Sequence, residues 1–278
     1  MSGGALIGRV APPDLHVMTF NIRRRMGRLT WPRADQWRNR LPKIQKMLRQ
    51  EGPTLLGVQE ALPDQAAALA DALGADYRFV GHGRRRGPTG EGCPLYYDMR
   101  RLELLGWEQT ALSDHPDEPG SRSWGNLIPR VLVRAEFRDR ATSTRLVALN
   151  THLDPFSRRS RLRAAEHIRE VVAGEELPGL VTGDLNARPR SRAVTALLAR
   201  GSLRDAWEHA ERRATPPWNT FGAYREPRAR SARIDWIAVT AGVRVLRVAI
   251  NGRRIDGGWP SDHLPVQAVI RLPETGAP

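Results

Sequence analysis

The stretch GGWPSDHLPVQAVI, residues 257–270, places an acid and an imidazole side by side, directly before a run of alternating apolar residues. The alternation predicts a strand, and the Pro-Ser pair before it predicts a turn. Adjacent side chains of a regular strand point to opposite faces, so Asp262 and His263 reach one site together only if they belong to the turn. Two interpretations follow: a polar turn that holds two titratable groups, or two groups of a single site.

Composition limits the class of protein to which this stretch can belong. The 278 residues are 40% hydrophobic and 27% charged, which predicts a folded chain with a buried core. No apolar run approaches the roughly 18 residues that cross a bilayer, and the first residues lack the apolar core of a signal peptide. The single cysteine, Cys93, excludes an intrachain disulfide and a cysteine-cluster zinc site. We therefore expect a cytoplasmic protein, and we expect it to be a monomer.

The net charge of +14 favours polyanionic partners such as nucleic acid, phosphorylated metabolites or an anionic membrane surface. Only two of the 44 basic residues are lysines, Lys43 and Lys46. A codon bias toward arginine explains the total charge equally well. The positions of the arginines are therefore more informative than their number.

Apolar periodicity divides the chain into strands and helices, with no internal repeat and no low-complexity linker. We expect a flexible tail at residues 1–13 and one domain at 14–273, with a long loop at 208–231. Helices are predicted at 33–50, 63–74, 157–173 and 191–201. Strands are predicted at 15–22, 54–60 and 178–186, and in the segments DYRFVGH, CPLYYD, LELLGWEQ, PRVLVRAEF, RLVALNTHL, ARIDWIAV, VRVLRVAI and LPVQAVIRL. Many strands with few helices suggest an α/β fold in which sheets pack together and helices lie outside.

Polar side chains stand at the ends or beginnings of six of these apolar strands, where such residue types are otherwise disfavoured. They are Asn21, Glu60, Asn150, His152, Asp154, Asp184, Asn186, Asp235, Asp262 and His263. Residues two apart in an extended chain share a face, and this places Asp184 beside Asn186. The same spacing joins Asn150, His152 and Asp154. So many polar strand ends are hard to explain as a device for solubility alone.

These residue types fit the hydrolysis of a phosphate ester. The acid and the amide of Asp184 and Asn186 can hold a water molecule for in-line attack on phosphorus. Glu60, with Asn21 or Asp262, offers the oxygen ligands of a hard cation, which would neutralise charge on the phosphoryl oxygens. The two imidazoles can donate hydrogen bonds to the same oxygens.

Two carboxylates can orient the imidazoles of His152 and His263: Asp235 can orient one ring, and Glu91 can orient the second. Each residue also has an ordinary explanation when it is taken singly. Asn21 and Asp154 suit strand-end turns, and Glu60 suits the beginning of a helix. The sequence contains no G-x-S-x-G elbow and no P-loop motif, which would indicate other chemistries. Phosphate ester chemistry therefore explains the whole set best.

Seven segments resemble, in the same order, those of the endonuclease/exonuclease/phosphatase superfamily of metal-dependent phosphoesterases. They are MTFNI, LLGVQE, GEGCPLYYD, NTHLD, GDLNARP, ARIDW and PSDHLPV, and all of them lie between residues 15 and 270. The resemblance implies a four-layer α/β/β/α sandwich, with two central mixed sheets flanked by helices and the site at one end of the sheets. It also implies Mg²⁺ or Mn²⁺ as the cofactor.

The resemblance further implies a role for each polar residue. Glu60 would be the principal metal ligand, with Asn21 and Asp262 nearby. Asp184 and Asn186 would position or activate the attacking water.

The same resemblance implies roles for the two imidazoles. His263, oriented by Asp235, would contact the scissile phosphate or assist as an acid or base. His152, paired with Glu91, would stabilise the transition state. In this interpretation Asp262 and His263 lie in a turn at the mouth of the site, from which both can reach it.

The chain resembles two branches of the superfamily to a lesser degree. Glu60 is followed by Ala-Leu, unlike the residues that apurinic endonucleases carry there. The segment ARIDWIAV lacks the Trp-Cys-Asp-Arg pattern of inositol polyphosphate 5-phosphatases. The chain is most similar to the broad bacterial branch that is related to deadenylase-like and sphingomyelinase-like members.

Arginine runs accompany the candidate site residues along the chain. They are Arg23-Arg24-Arg25, Arg84-Arg85-Arg86, Arg158 with Arg159 and Arg161, Arg188 with Arg190 and Arg192, and Arg253-Arg254. A codon bias predicts scattered arginines and does not predict this placement. Guanidinium groups bind phosphate bidentately, so we predict that Arg23 and Arg188, together with Asn150, bind the substrate.

Three functions from different classes remain open at this stage. The leading hypothesis is a metal-dependent phosphodiesterase that acts on nucleic acid, either DNA or RNA. The second is a phosphatase or phosphodiesterase for a small phosphorylated metabolite or a phospholipid head group. The third is a non-catalytic nucleic-acid-binding protein. The third is the weakest, because every polar position of the site is intact.

Overall fold

The computed structural model describes residues 4–27, 30–229 and 232–274. Residues 1–3 of the expected tail lie outside the described residues, as do 28–29 and 230–231 of the expected domain. The strands are β1 Asp14–Asn21, β2 Leu55–Gln59, β3 Tyr77–Val80, β4 Leu95–Asp98, β5 Leu102–Ala111, β6 Val131–Asp139, β7 Arg145–His152, β8 Gly179–Asp184, β9 Leu203–Asp205, β10 Arg212–Arg213, β11 Asp235–Thr240, β12 Arg244–Ile250 and β13 Val266–Arg271. The α-helices are α1 Trp37–Glu51, α2 Pro63–Leu73, α3 Arg158–Ala173, α4 Arg192–Leu197 and α5 Ala206–His209.

The strands form two mixed sheets that pack face to face. One sheet has the order β10-β12-β13-β1-β2-β4-β3, and the other has the order β5-β6-β7-β8-β11-β9. Apolar side chains from the inner faces of both sheets form one core cluster, which includes Val17, Leu95, Phe137, Ala148 and Ile237. Burial of this shared apolar surface is the main force that holds the sheets together.

Helices cover the outer face of each sheet. Ile44 and Leu48 of α1 pack with Phe20 of β1 in a second cluster. Ala165 and Ile168 of α3 belong to a third cluster on the other sheet. The order helix, sheet, sheet, helix confirms the four-layer α/β/β/α sandwich. No helix within the described ranges is long and apolar enough to cross a membrane.

The helix boundaries differ from the expected ones for local reasons. A 3-10 helix at Arg33–Asp35 precedes α1, and the extended Gln36 separates the two. The expected helix 191–201 ends early, at Leu197, because Leu198 already leaves the helical region with a φ of −89° and a ψ of 0°. Arg200, in the 3-10 helix that follows, has a φ of 62°. The segment expected to be a loop at 208–231 contains the end of α5 and the two-residue strand β10.

The first described residues are anchored to the domain. The backbone N–H groups of Leu6, Ile7 and Gly8 donate hydrogen bonds of 2.7, 3.1 and 3.0 Å to the carboxylate of Glu51. Asn251 donates to the same carboxylate at 3.1 Å. The flexible tail expected at 1–13 is therefore held by the end of α1 at these positions.

Gly57, in the middle of β2, faces side chains of the other sheet at close range. A Cβ atom at this position would overlap the hydroxyl of Thr182 and lie 2.7 Å from Oδ1 of Asn150. We expect Gly57→Ala to lower the free energy of unfolding by about 1–3 kcal/mol, because it overpacks the interface. Denaturant titration checks this. The matched control is Gly106→Ala in β5, where a Cβ would meet nothing within 4 Å; an equal loss in both variants would contradict the prediction.

His16 in β1 is fully buried, and burial lowers the pKa of its imidazole to about 4, against the opposing charge of nearby Glu51. The unfolded chain takes up a proton near pH 6.5, whereas the folded chain does not. Stability is therefore full above pH 6.5 and falls as the pH drops toward 4, by about 3 kcal/mol. The charged groups that act on the imidazole ring are Glu51 and Arg247.

Unfolding measured between pH 7.5 and 4 tests this expectation. We expect His16→Gln to remove about 3 kcal/mol of the fall in the free energy of unfolding over this range. The exposed His115 provides the control variant His115→Asn, which should keep the wild-type pH dependence. A His16 variant whose stability falls as steeply as that of the wild type would contradict the assignment.

Candidate active site

Strand register brings three of the predicted residues into line on one sheet. In the parallel pair β7 and β8, His152 lies opposite Asp184. In the antiparallel pair β8 and β11, Asp184 lies opposite Asp235. Three adjacent strands thus present an imidazole and two carboxylates side by side, and all three residues are buried.

His263 joins these residues from the loop before β13, which belongs to the other sheet. Its Nδ1 lies 2.9 Å from Oδ2 of Asp235, and its Nε2 lies 3.7 Å from Oδ2 of Asp184. The hydroxyl of Ser261 donates to the backbone oxygen of Asn21 at 2.8 Å and accepts from the N–H of His263 at 3.3 Å. The turn at residues 261–263 therefore ties β13 to the end of β1 and aims His263 at Asp184.

Asn21, the last residue of β1, links carboxylates of the two sheets. Its Nδ2 donates to Oε1 of Glu60 and to Oδ2 of Asp184, both at 3.0 Å. Glu60 follows β2 with a φ of 62°, a left-handed conformation that is uncommon for a residue other than glycine. Its second oxygen accepts from the N–H of Arg24 at 3.0 Å. The backbone thus leaves the strand at Glu60 in an unusual conformation that places its carboxylate beside Asn21.

Asn186 also has a left-handed conformation, with a φ of 47°. Its backbone N–H donates to Oδ1 of Asp184 at 2.8 Å, and its side-chain Nδ2 donates to the oxygen of Leu153 at 3.0 Å. These two bonds fix the Asp184 carboxylate and the Asn186 amide relative to each other. The expected proximity of this acid and this amide is therefore present, although it arises from a turn and not from an extended strand.

The carboxylates and His263 determine one another's ionisation. Burial and the charge of Asp235 raise the pKa of Asp184 to about 7. Burial alone would lower the pKa of His263, but the negative charges of Asp235 and Asp184 outweigh it and raise the value to about 10. At neutral pH the His263 side chain is therefore an imidazolium that can donate hydrogen bonds from both ring nitrogens.

The pKa values of His152 and Glu60 are lowered, whereas those of Asp184 and His263 are raised. Burial and the guanidinium of Arg130 keep the pKa of His152 well below its usual value. Burial opposes the charged form of Glu60, but the hydrogen bonds from the N–H of Arg24 and from the Asn21 amide, together with the charge of His263, outweigh this effect, and the pKa of Glu60 falls to about 2. Glu60 is therefore a carboxylate throughout the physiological range.

Asp262 faces Arg23, which lies two residues after Asn21. Its Oδ2 lies 3.6 Å from Nε of Arg23, and Arg23 also pairs with Asp35 at 3.4 Å. Tyr224 donates to the same Asp35 carboxylate at 2.7 Å. Arg23, which we expected to bind substrate, thus has two carboxylate partners within the described part of the chain.

Asn150 differs from the expectation that it binds substrate. Its Nδ2 donates to the backbone oxygens of Val58, Cys93 and Pro94 at 2.8, 3.0 and 3.2 Å. Its Oδ1 accepts from Gln59 at 2.8 Å and from Thr182 at 3.0 Å. The fully buried amide has its donors and its acceptor engaged by protein groups. Asn150 therefore connects the two sheets. It lies below the mouth of the site and not at the mouth.

Glu91 also differs from the expectation that it orients an imidazole. Its carboxylate lies 2.6 Å from Arg84 and 3.4 Å from Arg24. Nδ1 of His152 is buried without a hydrogen-bond partner within the described ranges. Glu91 thus holds the arginine loop beside the site, and the predicted pairing with His152 is not seen. The other predicted substrate residue, Arg188, is exposed next to Asn186.

Sequence reasoning missed Arg130, which is buried beside His152. Its Nε lies 3.5 Å from Oδ2 of Asp154, and its Nη1 has no hydrogen-bond partner in the described part of the structure. The Asp154 carboxylate also accepts from the N–H groups of Phe156 and Ser157. The only signal in the sequence was an arginine at the start of the apolar segment PRVLVRAEF, which is indistinguishable from a surface residue.

The donor set fits a hard divalent cation. Oxygen atoms of Glu60 and Asp184 lie within 3.0 Å of one nitrogen, Nδ2 of Asn21, so two carboxylates converge on one point. Mg²⁺ prefers carboxylate and carbonyl oxygens, and turning the Asn21 amide would add its own oxygen. Asp184, Asp235 and His263 also offer ligand atoms within 4.8 Å of one another. In that group the bond between His263 and Asp235 already uses one atom of each, so it fits a hydrogen-bonded pair better than an ion site.

Comparison with known proteins identifies relatives at the level of the sequence. The model of the Endonuclease/Exonuclease/phosphatase family matches residues 18–263. Protein angel of Drosophila melanogaster is 26% identical over 172 residues, which are 59% of this chain and 48% of that protein. Protein angel homolog 2 of Danio rerio is 24% identical over 205 residues, which are 65% of this chain and 34% of that protein. The matched region is thus less than half the length of either relative.

Solved structures resemble the whole fold. A mannosyl-6-phosphatase of Bacteroides thetaiotaomicron has a TM-score of 0.86 at 26% identity, over 93% of this chain and 100% of that one. An endonuclease/exonuclease/phosphatase from Bacteroides vulgatus has a TM-score of 0.85 at 30% identity, over 93% and 99%. The catalytic domain of human Nocturnin has a TM-score of 0.70 at 18% identity, over 94% of both chains, and at this identity the likeness concerns the fold alone.

Proposed function

The chain belongs to the endonuclease/exonuclease/phosphatase family, whose members hydrolyse phosphoesters, and from this premise we propose that it is a Mg²⁺- or Mn²⁺-dependent phosphodiesterase that cleaves nucleic acid. The observation that carries the proposal is the position of the Asp184 carboxylate. It lies between two imidazole nitrogens at 3.7 Å and the amide of Asn21 at 3.0 Å. The proposal includes the cytoplasmic location and the monomeric state expected from the sequence.

Asp184 and Asn186 would hold the attacking water. A water beside the Asp184 carboxylate transfers a proton to a carboxylate oxygen as its own oxygen forms the bond to phosphorus. The bond from Asn186 N–H to Oδ1 of Asp184 keeps that carboxylate in one orientation. The bond between phosphorus and the leaving oxygen breaks as the new bond forms, and the leaving oxygen takes up a proton from solvent.

His263 and His152 would face the phosphoryl group. The bond from Nδ1 of His263 to Asp235 leaves Nε2–H free to donate to a phosphoryl oxygen. Glu60 and Asn21 would hold the cation, with an oxygen of Asp184 beside them, and Asp262 is the further ligand expected from the sequence. When bound, a divalent cation stabilises the negative charge that develops on the phosphoryl oxygens.

Exposed aromatic side chains support a nucleic-acid substrate. The ring of Phe221 lies 5.1 Å from the ring of His263 and is 49% exposed. Phe156, which follows the buried Asp154 at the end of β7, is 81% exposed. Bases of a single strand stack on such rings, and each stacked base adds about 1–3 kcal/mol of binding.

A small phosphate ester is the second candidate. The likeness to a mannosyl-6-phosphatase extends over nearly the whole chain at 26% identity, which favours a sugar phosphate as an alternative substrate. In that case the aromatic rings and the arginines around the mouth would enclose one small molecule.

Hydrolysis of a substrate panel tests the proposal. The panel holds single-stranded DNA, double-stranded DNA, RNA, mannose 6-phosphate and inositol phosphates, each with Mg²⁺ or Mn²⁺. We expect cleavage of the polymers, and we expect it to weaken as salt increases, because phosphate contacts release counterions. Release of phosphate from the small esters alone would contradict the nuclease and favour the second candidate.

A further inference from the structure

A cavity of about 810 Å³ opens beside the candidate active site, between the beginnings of α3 and α4. Its lining contains five arginines and no carboxylate within the part of the chain that the structure describes. The arginines are Arg158, Arg159, Arg161, Arg188 and Arg192. The cavity therefore concentrates positive charge that no acidic residue in its wall neutralises.

Most of these guanidinium groups have no partner among the described residues. Arg161 donates to the backbone oxygen of Asp154 at 2.6 Å. The other four side chains make no ion pair and no hydrogen bond to any residue that the structure describes. Unpaired arginines on a folded protein are available to an anionic ligand at no cost of a broken ion pair.

Two arginines of β6 are paired with glutamates. Arg134 lies 2.5 Å from Glu175. Arg138 lies 3.4 Å from Glu103. Arg49 and Arg212 also lack a partner within the described residues, so pairing alone does not distinguish the cavity. The distinguishing feature is that the cavity gathers five arginines in one lining without a carboxylate among the described residues.

The cavity is continuous with the site through Asn186. This residue lines the cavity, and its N–H bonds to the Asp184 carboxylate at 2.8 Å. A group in the cavity that contacts Asn186 is therefore separated by this one residue from the Asp184 carboxylate that would activate water. A ligand that spans both places carries one phosphate at Asp184 and further negative charge among the arginines.

We propose that this arginine cavity is a subsite for a second phosphate group of the substrate, and this inference rests on the proposed phosphoesterase function. The substrate class is therefore an ester with at least two phosphate groups, of which one is cleaved and one is held. Guanidinium groups bind phosphate through two parallel hydrogen bonds, which orients the ligand as well as attracts it. The second phosphate belongs either to the next nucleotide of a strand or to a small bisphosphate.

A charge-matched pair of double variants tests the subsite. Arg159→Gln with Arg192→Gln removes two guanidinium groups from the cavity. Arg49→Gln with Arg212→Gln removes two exposed arginines elsewhere, in α1 and β10, and gives the same net charge. All four side chains are exposed, so both proteins should fold like the wild type, and thermal unfolding checks this.

The kinetic comparison uses substrates that differ by one phosphate. One arm compares a thymidine dinucleotide with and without a 5′-phosphate, and the other compares fructose 1,6-bisphosphate with fructose 6-phosphate. We expect the ratio of kcat/KM for the more phosphorylated over the less phosphorylated substrate to fall about tenfold or more in the cavity variant. The control variant should keep the wild-type ratio. The arm that responds identifies the source of the second phosphate.

Binding without turnover separates this inference from the function on which it rests. Fluorescence anisotropy of labelled oligothymidylate in EDTA measures affinity at several salt concentrations. The slope of log K against log salt should become less steep by about 0.7 for each phosphate contact that the cavity variant loses. Unchanged ratios and an unchanged slope in the cavity variant would overturn the subsite. If the wild type cleaves no substrate, but its salt slope is steeper than that of the cavity variant, the enzyme is rejected and the subsite is kept.

Discussion

His263→Ala should lower kcat on a phosphodiester substrate by about 10²–10⁴-fold, which is the range for losing a positioned acid or hydrogen-bond donor. The reason is the place of this imidazole. Its Nδ1 is held by Asp235 at 2.9 Å, and its Nε2 lies 3.7 Å from the Asp184 carboxylate. Removing it takes away a donor and leaves two buried carboxylates facing each other without a positive charge between them.

The variant needs a test of folding, because the alanine leaves Asp235 without its partner. His263→Gln keeps a side-chain amide that can donate to Asp235, and circular dichroism with thermal unfolding compares both variants with the wild type. His115→Ala, at an exposed histidine, is the control for purification and assay. A folded His263→Ala protein with a near-normal rate would remove His263 from the mechanism.

Glu60→Gln should raise the concentration of Mg²⁺ that gives half-maximal activity by about 100-fold or more, since loss of even an outer partner of a metal ligand costs about 10–100-fold in affinity. A carboxylate with a pKa near 2 is charged at every working pH, and a neutral amide cannot replace that charge. Affinity of the substrate measured in EDTA should change far less.

A second readout does not depend on turnover. Mg²⁺ should raise the thermal midpoint of the wild type, since a ligand that binds only the folded state stabilises it, and this shift should shrink in Glu60→Gln. Glu91→Gln removes a nearby carboxylate that pairs with Arg84 and Arg24, and it should retain the shift. An unchanged half-activation in Glu60→Gln would exclude Glu60 as the main ligand.

Alternation and helical spacing predicted most of the elements, because inner and outer faces of the sheets bury apolar side chains at fixed periods. The resemblance to a known family predicted the four layers, which the two-sheet topology confirms. The short elements β9, α5 and β10 were not predicted. They are three, four and two residues long, too short for a period to emerge.

The candidate site was predictable in its members more than in their contacts. Strand ends carried Asp184 and His152 into register, as the pattern suggested. Asn150 has the same spacing from His152 as a site residue would have, yet it points between the sheets, where five hydrogen bonds engage it. Sequence spacing gives the face of a strand and not the depth at which a side chain lies, and buried Arg130 was missed for the same reason.

The most direct test of the central claim is hydrolysis of bis-p-nitrophenyl phosphate with Mg²⁺ or Mn²⁺, by the wild type and by Asp184→Asn. The asparagine keeps the shape of the side chain and can still accept from the N–H of Asn186, so it removes the negative charge and the base while keeping that hydrogen bond. The predicted result is metal-dependent turnover in the wild type and a loss of about 10²–10⁴-fold in the folded variant. Equal turnover by the two proteins, or turnover that chelation with EDTA leaves unchanged, would contradict the assignment.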